Sequence, residues 1–436
     1  MDLLIKKATL VTQALTSLGT LDVLVAEGRI REIGSDIQAP HATIIDAEGK
    51  FLVPGLVDVH VHFREPGQTE KEDLKSGSSA AAAGGFTTVV AEPNTNPPID
   101  TPIRLHRLLE SAKKRSLINF FSKAAMTRGM RGERLTDIAK LKEAGAIALS
   151  DDGNPIPTSR LMRNILIKGR ENGILITPHC EESPLYREKI LMKRRGVGIG
   201  ESPYTSEARF IKRDIELAER TGGHLHISHV SLAESVELIA KAKKRGVTVT
   251  AEATPHHLLL TEKMAKEIGT NAKVNPPLRS EEDVLALREG LASGVIDIIA
   301  SDHAPHTPEE KNRDWEEAPF GIIGLETTLG LVLTFLVRPG ILTLSQAIEK
   351  LTITPARIFG LDPLGVGQLK VGIKADLTLI DFEKKWRVDV NRFYSKGRNC
   401  PFDGWELQGK AILTIVGGQI VAKDGLIVQE IHSRRI

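Results

Sequence analysis

The chain has 436 residues, 41% of them hydrophobic and 26% charged, which is typical of a globular protein. A net charge of +2 argues against a nucleic-acid partner, and the absence of any apolar run near the roughly 20 residues of a membrane span argues against a membrane partner. The two cysteines, Cys180 and Cys400, do not make a disulfide framework, and with no signal-peptide pattern at the N-terminus they predict a cytoplasmic protein.

The two ends of the chain have the pattern of short β-strands separated by turns. Residues 1–55 contain three such runs, and residues 361–436 contain three more. We predict that these flanks pair into one small β-sandwich that is discontinuous in sequence. The segment between them, 56–360, is then expected to form the main domain.

The central segment alternates apolar runs with amphipathic helical stretches. One such stretch, 101–115, places Leu105, Leu108 and Leu109 on one stripe of a helix. The eight strand-like runs are 56–62, 86–93, 118–126, 146–153, 173–180, 224–231, 247–257 and 295–303. Eight such units predict an α/β fold of the (β/α)8 TIM-barrel type, whose active site lies at the carboxyl ends of the strands.

The first run, "VDVHVHFREPG" from Val57 to Gly67, alternates valine with strongly polar side chains. Successive side chains of a strand point to opposite faces, so the valines form one face and the polar groups the other. The polar face carries Asp58, His60, His62 and Arg64. An ordinary half-buried strand usually has Thr, Lys or Glu there, whereas two histidines after an aspartate are typical of metal ligands.

In the fourth run, two adjacent aspartates compete for the role of metal ligand. Asp151 shares a face with two bulky apolar residues, and Asp152 shares a face with two alanines and a serine. The bulky face is expected to pack against the helices, so Asp152 should point into the barrel. We therefore predict Asp152 as the ligand and Asp151 as its flanking neighbour.

Three further runs end in a residue that can bind a metal ion: His179 ends the fifth, His229 the sixth and Asp302 the eighth. The predicted ligand set is thus His60, His62, Asp152, His179, His229 and Asp302. Nitrogen and carboxylate donors suit Zn²⁺, and the absence of sulfur argues against a closed structural zinc site. We expect one or two zinc ions per subunit.

A single histidine is more often an ordinary core or surface residue than a ligand. We interpret five histidines as structural: His41, His106, His224, His226 and His432. His256 and His257 end the seventh run, and for them a structural role and a place in the site stay equally open.

These residues together resemble the amidohydrolase superfamily and, more narrowly, the bacterial-type (class I) dihydroorotases. The resemblance covers nearly the whole chain. It includes the motifs "PGLVDVHVHFREPG", "EPNTNPP", "SDDG", "HISHVS", "NPPLR", "SDHAPHT" and "SKGRNCPF". It implies the reversible cyclisation of N-carbamoyl-L-aspartate to L-dihydroorotate, a step of de novo pyrimidine (UMP) biosynthesis.

The resemblance also implies roles for individual residues. Arg64 would hold the extra carboxylate of the substrate bidentately, with Asn94 and His306 completing the clamp. Asn275 would bind the ring amides, and Asp302 would act as the catalytic acid and base as well as a ligand. Relatives often have Met where this chain has Glu92, and because an anion there would repel the substrate, we expect Glu92 to point away from the site.

Two kinds of alternative remain. Another cyclic-amide hydrolase is one, but dihydropyrimidinases and hydantoinases carry a carboxylated lysine on strand 4, and the run 146–153 has no lysine. Allantoinases lack an arginine at the position of Arg64. The other alternative is a non-catalytic dihydroorotase-like assembly partner, a kind of relative that has typically lost metal ligands.

The expected partners are few. The resemblance implies a small-molecule substrate, a homodimer and, as in some class I relatives, association with aspartate transcarbamoylase.

Overall fold

A computed structural model describes residues 2–11, 19–181 and 206–428. The strands are β1 Leu3–Leu10, β2 Thr20–Ala26, β3 Arg29–Gly34, β4 Thr43–Asp46, β5 Phe51–Pro54, β6 Leu56–Val61, β7 Phe86–Ala91, β8 Asn119–Ser122, β9 Ala124–Ala125, β10 Ala148–Ser150, β11 Leu175–Ile176, β12 Leu225–Ile227, β13 Val249–Ala253, β14 Ile298–Ile299, β15 Leu377–Arg387, β16 Glu406–Val416, β17 Gln419–Lys423 and β18 Leu426–Ile427.

The α-helices are α1 Leu74–Ala83, α2 Pro102–Arg115, α3 Ile138–Glu143, α4 Ser159–Glu171, α5 Ser206–Thr221, α6 Ala233–Lys244, α7 Pro255–Leu259, α8 Glu262–Ile268, α9 Glu281–Ser293, α10 Pro308–Lys311, α11 Thr328–Val332, α12 Leu344–Lys350 and α13 Ile353–Ile358. In the described parts of the chain, no helix is long and apolar enough to cross a membrane.

Strands β6 to β14 form a ring of parallel strands. Strands β6, β7 and β8 pair in sequence order, as do β9 to β14. Only Lys123 separates β8 from β9, and its N–H donates to Ala91 O (2.9 Å) on the neighbouring strand. The ring closes where the N–H of His62 donates to His303 O (2.8 Å). These contacts confirm the predicted (β/α)8 barrel, with a strand in each of the eight predicted runs.

Helices α1 and α2 illustrate how local sequence positions the strands. The Asp73 side chain caps α1 by accepting from the N–H groups of Lys75 and Ser76, and the helix ends at Gly84, just before β7. Helix α2 buries Leu105 and Leu108 of the predicted stripe. Each helix thus packs an apolar face on the barrel and returns the chain to the start of the next strand.

The two flanks of the chain share one nine-stranded sheet. Strands β5 and β15 join them in antiparallel pairing, with Leu52 opposite Leu379. A separate apolar cluster, which includes Leu3, Ile5 and Ile415, packs on this sheet. The domain limits at residues 55 and 360 stay a prediction.

Candidate metal centre

The predicted ligand residues lie buried at the carboxyl ends of the barrel strands. Two groups of three have ligand atoms that all lie within 4.8 Å of one another. One group consists of His60, His62 and Asp302, and the other of His60, Asp152 and His229. His179 adjoins the second group, because its Nδ1 lies 3.0 Å from His229 Nε2. The structure therefore brings all six residues together.

Asp152 lies at the centre of this cluster. Its Oδ1 is 3.6 Å from His60 Nε2, 3.4 Å from His179 Nδ1 and 3.5 Å from His229 Nε2. Its Oδ2 is 3.6 Å from His62 Nε2. Although burial opposes it, the neighbouring imidazoles of His179, His229 and His60 hold the pKa of Asp152 well below its usual range. Asp152 is thus an ionised carboxylate placed between two sets of imidazoles.

Asp151 points away from the cluster. It accepts hydrogen bonds from the backbone N–H groups of Met126 (2.8 Å) and Thr127 (3.1 Å), and from the Thr127 hydroxyl. Burial raises the pKa of Asp151 to about 7. Its contacts fix the end of β9, which leaves Asp152 as the aspartate of this pair within reach of the histidines.

The chemistry and spacing of these groups fit a metal ion. His60 Nε2 is buried and has no hydrogen-bond partner among the described residues, although Asp302 Oδ1 lies 3.5 Å away. With bonds of about 2.0–2.2 Å, two ligands of a tetrahedral zinc lie roughly 3.3–3.6 Å apart. The distances from His60 Nε2 to its neighbouring carboxylate oxygens match the distances between two ligands of one cation better than they match hydrogen-bond lengths.

Further side chains hold the imidazoles in orientation. His60 Nδ1 lies 2.6 Å from Glu252 Oε1, and the other oxygen of Glu252 lies 3.1 Å from His226 Nε2. A carboxylate that accepts from one ring nitrogen leaves the other nitrogen free to bind a metal. Sequence reasoning missed Glu252, whose signal was a lone acidic residue inside the mainly apolar strand β13.

The two asparagines predicted to bind substrate both contact predicted ligands. Asn94 Oδ1 lies 2.9 Å from His62 Nδ1, and Asn94 Nδ2 donates to Asp152 Oδ2 (3.0 Å). Asn275 Nδ2 lies 2.9 Å from His179 Nε2. Both amides therefore border the cluster, while their contact with substrate stays a prediction.

Arg64 lies beside the metal cluster, with its side chain buried. Its Nε donates to Pro305 O (3.2 Å), and its Nη2 lies 3.2 Å from His306 Nε2. Burial and the charges of Arg64 and Lys71 lower the pKa of His306 to about 3, so this imidazole is neutral at neutral pH. The neighbouring Glu65 pairs instead with Arg115. In the described chain Arg64 makes no ion pair, although the carboxylates of Asp302 and Asp152 in the ligand cluster are among the charges that act on its guanidinium.

Three site residues have left-handed backbone angles that non-glycine residues rarely adopt. The φ angles are 56° for Arg64, 34° for His229 and 48° for Asp302. Such strain costs free energy and tends to gather at functional sites.

Glu92 lies inside the site, so the prediction that it points away is wrong. Its buried Oε1 is 3.6 Å from His60 Nε2. Its N–H donates to Val61 O (2.9 Å), which extends the pairing of β7 with β6 by one residue. The same Oε1 pairs with the ammonium of Lys123, which is fully buried. The prediction failed because it assumed an uncompensated anion, whereas Lys123, between β8 and β9, supplies a cation.

The adjacent histidines of the seventh run, His256 and His257, have different surroundings. His257 Nδ1 lies 2.8 Å from the Thr254 hydroxyl, and its Nε2 lies 2.9 Å from Pro276 O. His256 Nε2 is buried without a hydrogen-bond partner among the described residues. These contacts anchor His257 within helix α7, just after β13.

A parallel (β/α)8 barrel whose functional side chains gather at the strand ends is typical of TIM-barrel enzymes, and the histidines and aspartates there form a candidate metal site. The sequence pattern of the amidohydrolase family matches residues 51–421. The chain belongs to the amidohydrolase family.

Comparison with known proteins gives relatives of two kinds. Dihydroorotases from Pelotomaculum thermopropionicum and Acetivibrio thermocellus are 45% and 42% identical to this chain. Each alignment covers 98% of this chain and 100% of the relative. Among solved structures, an L-hydantoinase (dihydropyrimidinase) from Arthrobacter aurescens is similar, with a TM-score of 0.89, 31% identity and 98% of both chains covered.

Proposed function

We propose that this protein is a zinc-dependent dihydroorotase, which reversibly cyclises N-carbamoyl-L-aspartate to L-dihydroorotate in de novo pyrimidine biosynthesis. The observation that carries the proposal is the buried guanidinium of Arg64 next to the metal cluster. Buried charges in proteins are normally paired, yet the described partners of Arg64 are a backbone carbonyl and a neutral imidazole. A substrate carboxylate supplies the missing partner, and dihydroorotate carries one that hydantoin lacks.

One or two zinc ions would be held by the nitrogen and carboxylate donors of the ligand set, which consists of His60, His62, Asp152, His179, His229 and Asp302. When bound, zinc lowers the pKa of a water molecule and polarises the ring amide carbonyl. The neighbours Asn94 and Asn275 keep the imidazoles in orientation.

Asp302 moves the proton in both directions of the reaction. Although burial opposes it, the charges of His60 and His62 hold the pKa of Asp302 well below its usual range, so it is ionised and able to accept a proton. During hydrolysis it takes the proton of the attacking water and delivers it to the leaving ring nitrogen. During synthesis it removes a proton from the carbamoyl nitrogen as that nitrogen closes the ring.

Substrate orientation depends on the clamp beside the metals. Arg64 grips the substrate carboxylate bidentately, which fixes direction as well as charge. His306, neutral and in contact with Arg64, borders the same carboxylate, and Asn94 and Asn275 reach the ring from the sides of the ligand cluster.

Hydantoinase or dihydropyrimidinase activity is the second candidate, because the solved structures with similar folds include both. Against it, β10 has no lysine to become carboxylated. The buried Lys123 lies between β8 and β9 and not on β10. Its ammonium is already paired with Glu92. A ring without a carboxylate would also leave Arg64 unpaired.

The proposal also includes the oligomeric state, the partner protein and the cellular compartment. We expect a cytoplasmic homodimer that acts on a small molecule, and its association with aspartate transcarbamoylase is testable by co-purification.

The proposal is tested by assaying one purified sample with L-dihydroorotate, hydantoin and allantoin, with metal analysis of the same sample. The expected result is turnover of dihydroorotate far above that of the other two rings, together with bound zinc. Preferred turnover of hydantoin or allantoin by zinc-loaded protein would contradict the proposed substrate.

A further inference from the structure

The motif "SKGRNCPF", residues 395–402, belongs to the C-terminal flank of the chain but packs against the segment that follows Asp302. The approach is very close, because a Cβ atom added at Gly397 would lie 2.8 Å from Pro305 Cβ and 2.7 Å from Asn399 Oδ1. There is thus no room for a side chain at Gly397. The C-terminal flank therefore reaches the edge of the candidate site.

Asn399 of this motif joins the two ends of the segment 303–321. Its side-chain Nδ2 donates to Ala304 O (3.1 Å) near the start of the segment and to Gly321 O (2.9 Å) at its end. Its Oδ1 accepts from the backbone N–H of His306 (3.2 Å). The side chain is only 2% exposed, so these three hydrogen bonds are shielded from water. Asn399 is therefore a buried cross-link within this segment.

The residues that Asn399 binds also carry both contacts of the Arg64 side chain. Arg64 Nε donates to Pro305 O (3.2 Å), and Arg64 Nη2 lies 3.2 Å from His306 Nε2. Asn399 binds the carbonyl of the residue before Pro305 and the N–H of the residue after it. These bonds fix the direction of the Pro305 carbonyl and the backbone from which the His306 side chain extends.

The far end of the segment is held at the same place. The N–H of Ile323 donates to Asn399 O (2.9 Å), and the N–H of Ala304 donates to Ile322 O (2.7 Å). Residues 312–317, between the two ends, are exposed. The bonds of Asn399 thus concern the ends of the segment, and any closure over a substrate would be confined to its exposed middle.

We propose that Asn399 is a positioning residue of the substrate clamp, which orients Arg64 and His306 without touching the substrate. A guanidinium binds a carboxylate bidentately only when its plane has the right direction, so the carbonyl that accepts from Arg64 Nε has to be held in place. A displacement of about 1 Å in a positioned group can cost about 10²-fold in rate. This inference rests on the proposed function, because the substrate carboxylate is what defines the clamp.

The first test is steady-state kinetics of zinc-loaded Asn399→Ala with L-dihydroorotate. The variant should raise KM by about tenfold or more, because Arg64 is no longer directed at the carboxylate, and should change kcat and zinc content much less. The matched control is Asn119→Ala. Asn119 also ties the barrel to the C-terminal flank, since its Nδ2 donates to Thr87 O (3.0 Å) and to Asp376 Oδ2 (2.8 Å). The control should lower Tm but keep KM.

Two results of these assays would overturn the proposal. One is an unchanged KM in folded, zinc-loaded Asn399→Ala. The other is a KM that rises equally in Asn399→Ala and Asn119→Ala, which would show that Asn399 has a merely structural role.

A double variant tests whether Asn399 acts through Arg64. In the Arg64→Met protein, the additional change Asn399→Ala should alter kcat/KM for dihydroorotate by no more than about twofold, because the guanidinium that Asn399 orients is gone. Losses that multiply would mean that the two residues act independently, and they would contradict the positioning role.

Gly397→Ala keeps the test decisive if Asn399→Ala does not fold. The added methyl group meets Pro305 and the Asn399 side chain and should push them apart, so KM for dihydroorotate should rise as in Asn399→Ala. A KM equal to that of the unmodified protein would count against the proposal.

NMR without substrate separates this inference from the proposed function. The Arg64 Nε–H that donates to Pro305 O should give a signal in nitrogen–proton correlation spectra, identified by its absence in Arg64→Met. Asn399→Ala should shift or broaden this signal, and Asn119→Ala should leave it unchanged. Such a shift supports the orientation of Arg64 by Asn399 even when the protein does not turn over dihydroorotate. An unshifted signal overturns it even when dihydroorotate is a good substrate.

Discussion

Replacement of Arg64 by Met removes the charge proposed to select the substrate. The Arg64 side chain is only slightly exposed, at 9%, and its contacts are Pro305 O and His306 Nε2. Met has similar length and fits an apolar wall, so the fold and the metal cluster should survive. A substrate carboxylate bound at this place would lose its guanidinium partner.

The size of the loss follows from the burial of the pair. Removing one partner of a desolvated charge pair costs roughly 3–5 kcal/mol. That corresponds to a fall of about 10²- to 10³-fold or more in kcat/KM for dihydroorotate. A neutral ring such as hydantoin has no carboxylate that could contact Arg64, so the kcat/KM for that substrate should change little. Arg64→Lys restores the charge without the two-pronged geometry and should recover only part of the loss.

The assay is steady-state kinetics with dihydroorotate and hydantoin on zinc-loaded protein, with Tm and metal content measured on the same samples. The matched control is Arg115→Met, because Arg115 is a half-exposed arginine that pairs with Glu65. The control should keep both kinetic constants. Near-normal kinetics with dihydroorotate in folded, zinc-loaded Arg64→Met would refute the assignment of Arg64.

Other consequences can be measured on the same protein. Asp152→Ala should lose bound zinc while Asp151→Ala keeps most of it, and a site emptied by Asp151→Ala alone would show that the assignment of the strand-4 ligand is wrong. The segment 303–321 should become more resistant to limited proteolysis when dihydroorotate binds, since it begins directly after Asp302 and contains an exposed stretch. Equal cleavage with and without dihydroorotate would argue against closure. An unfolded histidine protonates near its ordinary pKa of 6.5, whereas the pKa of His306 in the folded protein is lowered to about 3. Between these two pH values the unfolded state binds more protons than the folded state. The free energy of unfolding should therefore fall as the pH drops through this range. Urea titrations at several pH values should show a weaker fall for His306→Asn, and an equal fall would contradict the lowered pKa.

Two regularities in the sequence predicted the fold and one part of the candidate site. Eight apolar runs separated by helical stretches predicted the barrel, and all eight runs contain a strand. Alternation along a strand also distinguished the orientations of two adjacent carboxylates, because Asp152 faces the imidazoles and Asp151 faces the end of β9. Both regularities are local, so a single sequence contains them.

The charged neighbours of the ligands depend on contacts between distant parts of the chain. Glu252 meets His60 across 192 residues, and no local pattern in β13 indicates that partner. Lys123 meets Glu92 across 31 residues. Reasoning about Glu92 alone gave the wrong orientation, because the free energy of a buried carboxylate depends on a cation that only the folded barrel brings to it.

The central claim is tested most directly by following N-carbamoyl-L-aspartate and L-dihydroorotate by NMR from both directions. Zinc-loaded protein should bring both starting solutions to the same ratio of the two compounds at a given pH. Asp302→Asn should abolish the interconversion in both directions, because it removes the group that carries the proton. No interconversion by folded, fully zinc-loaded protein would contradict the account.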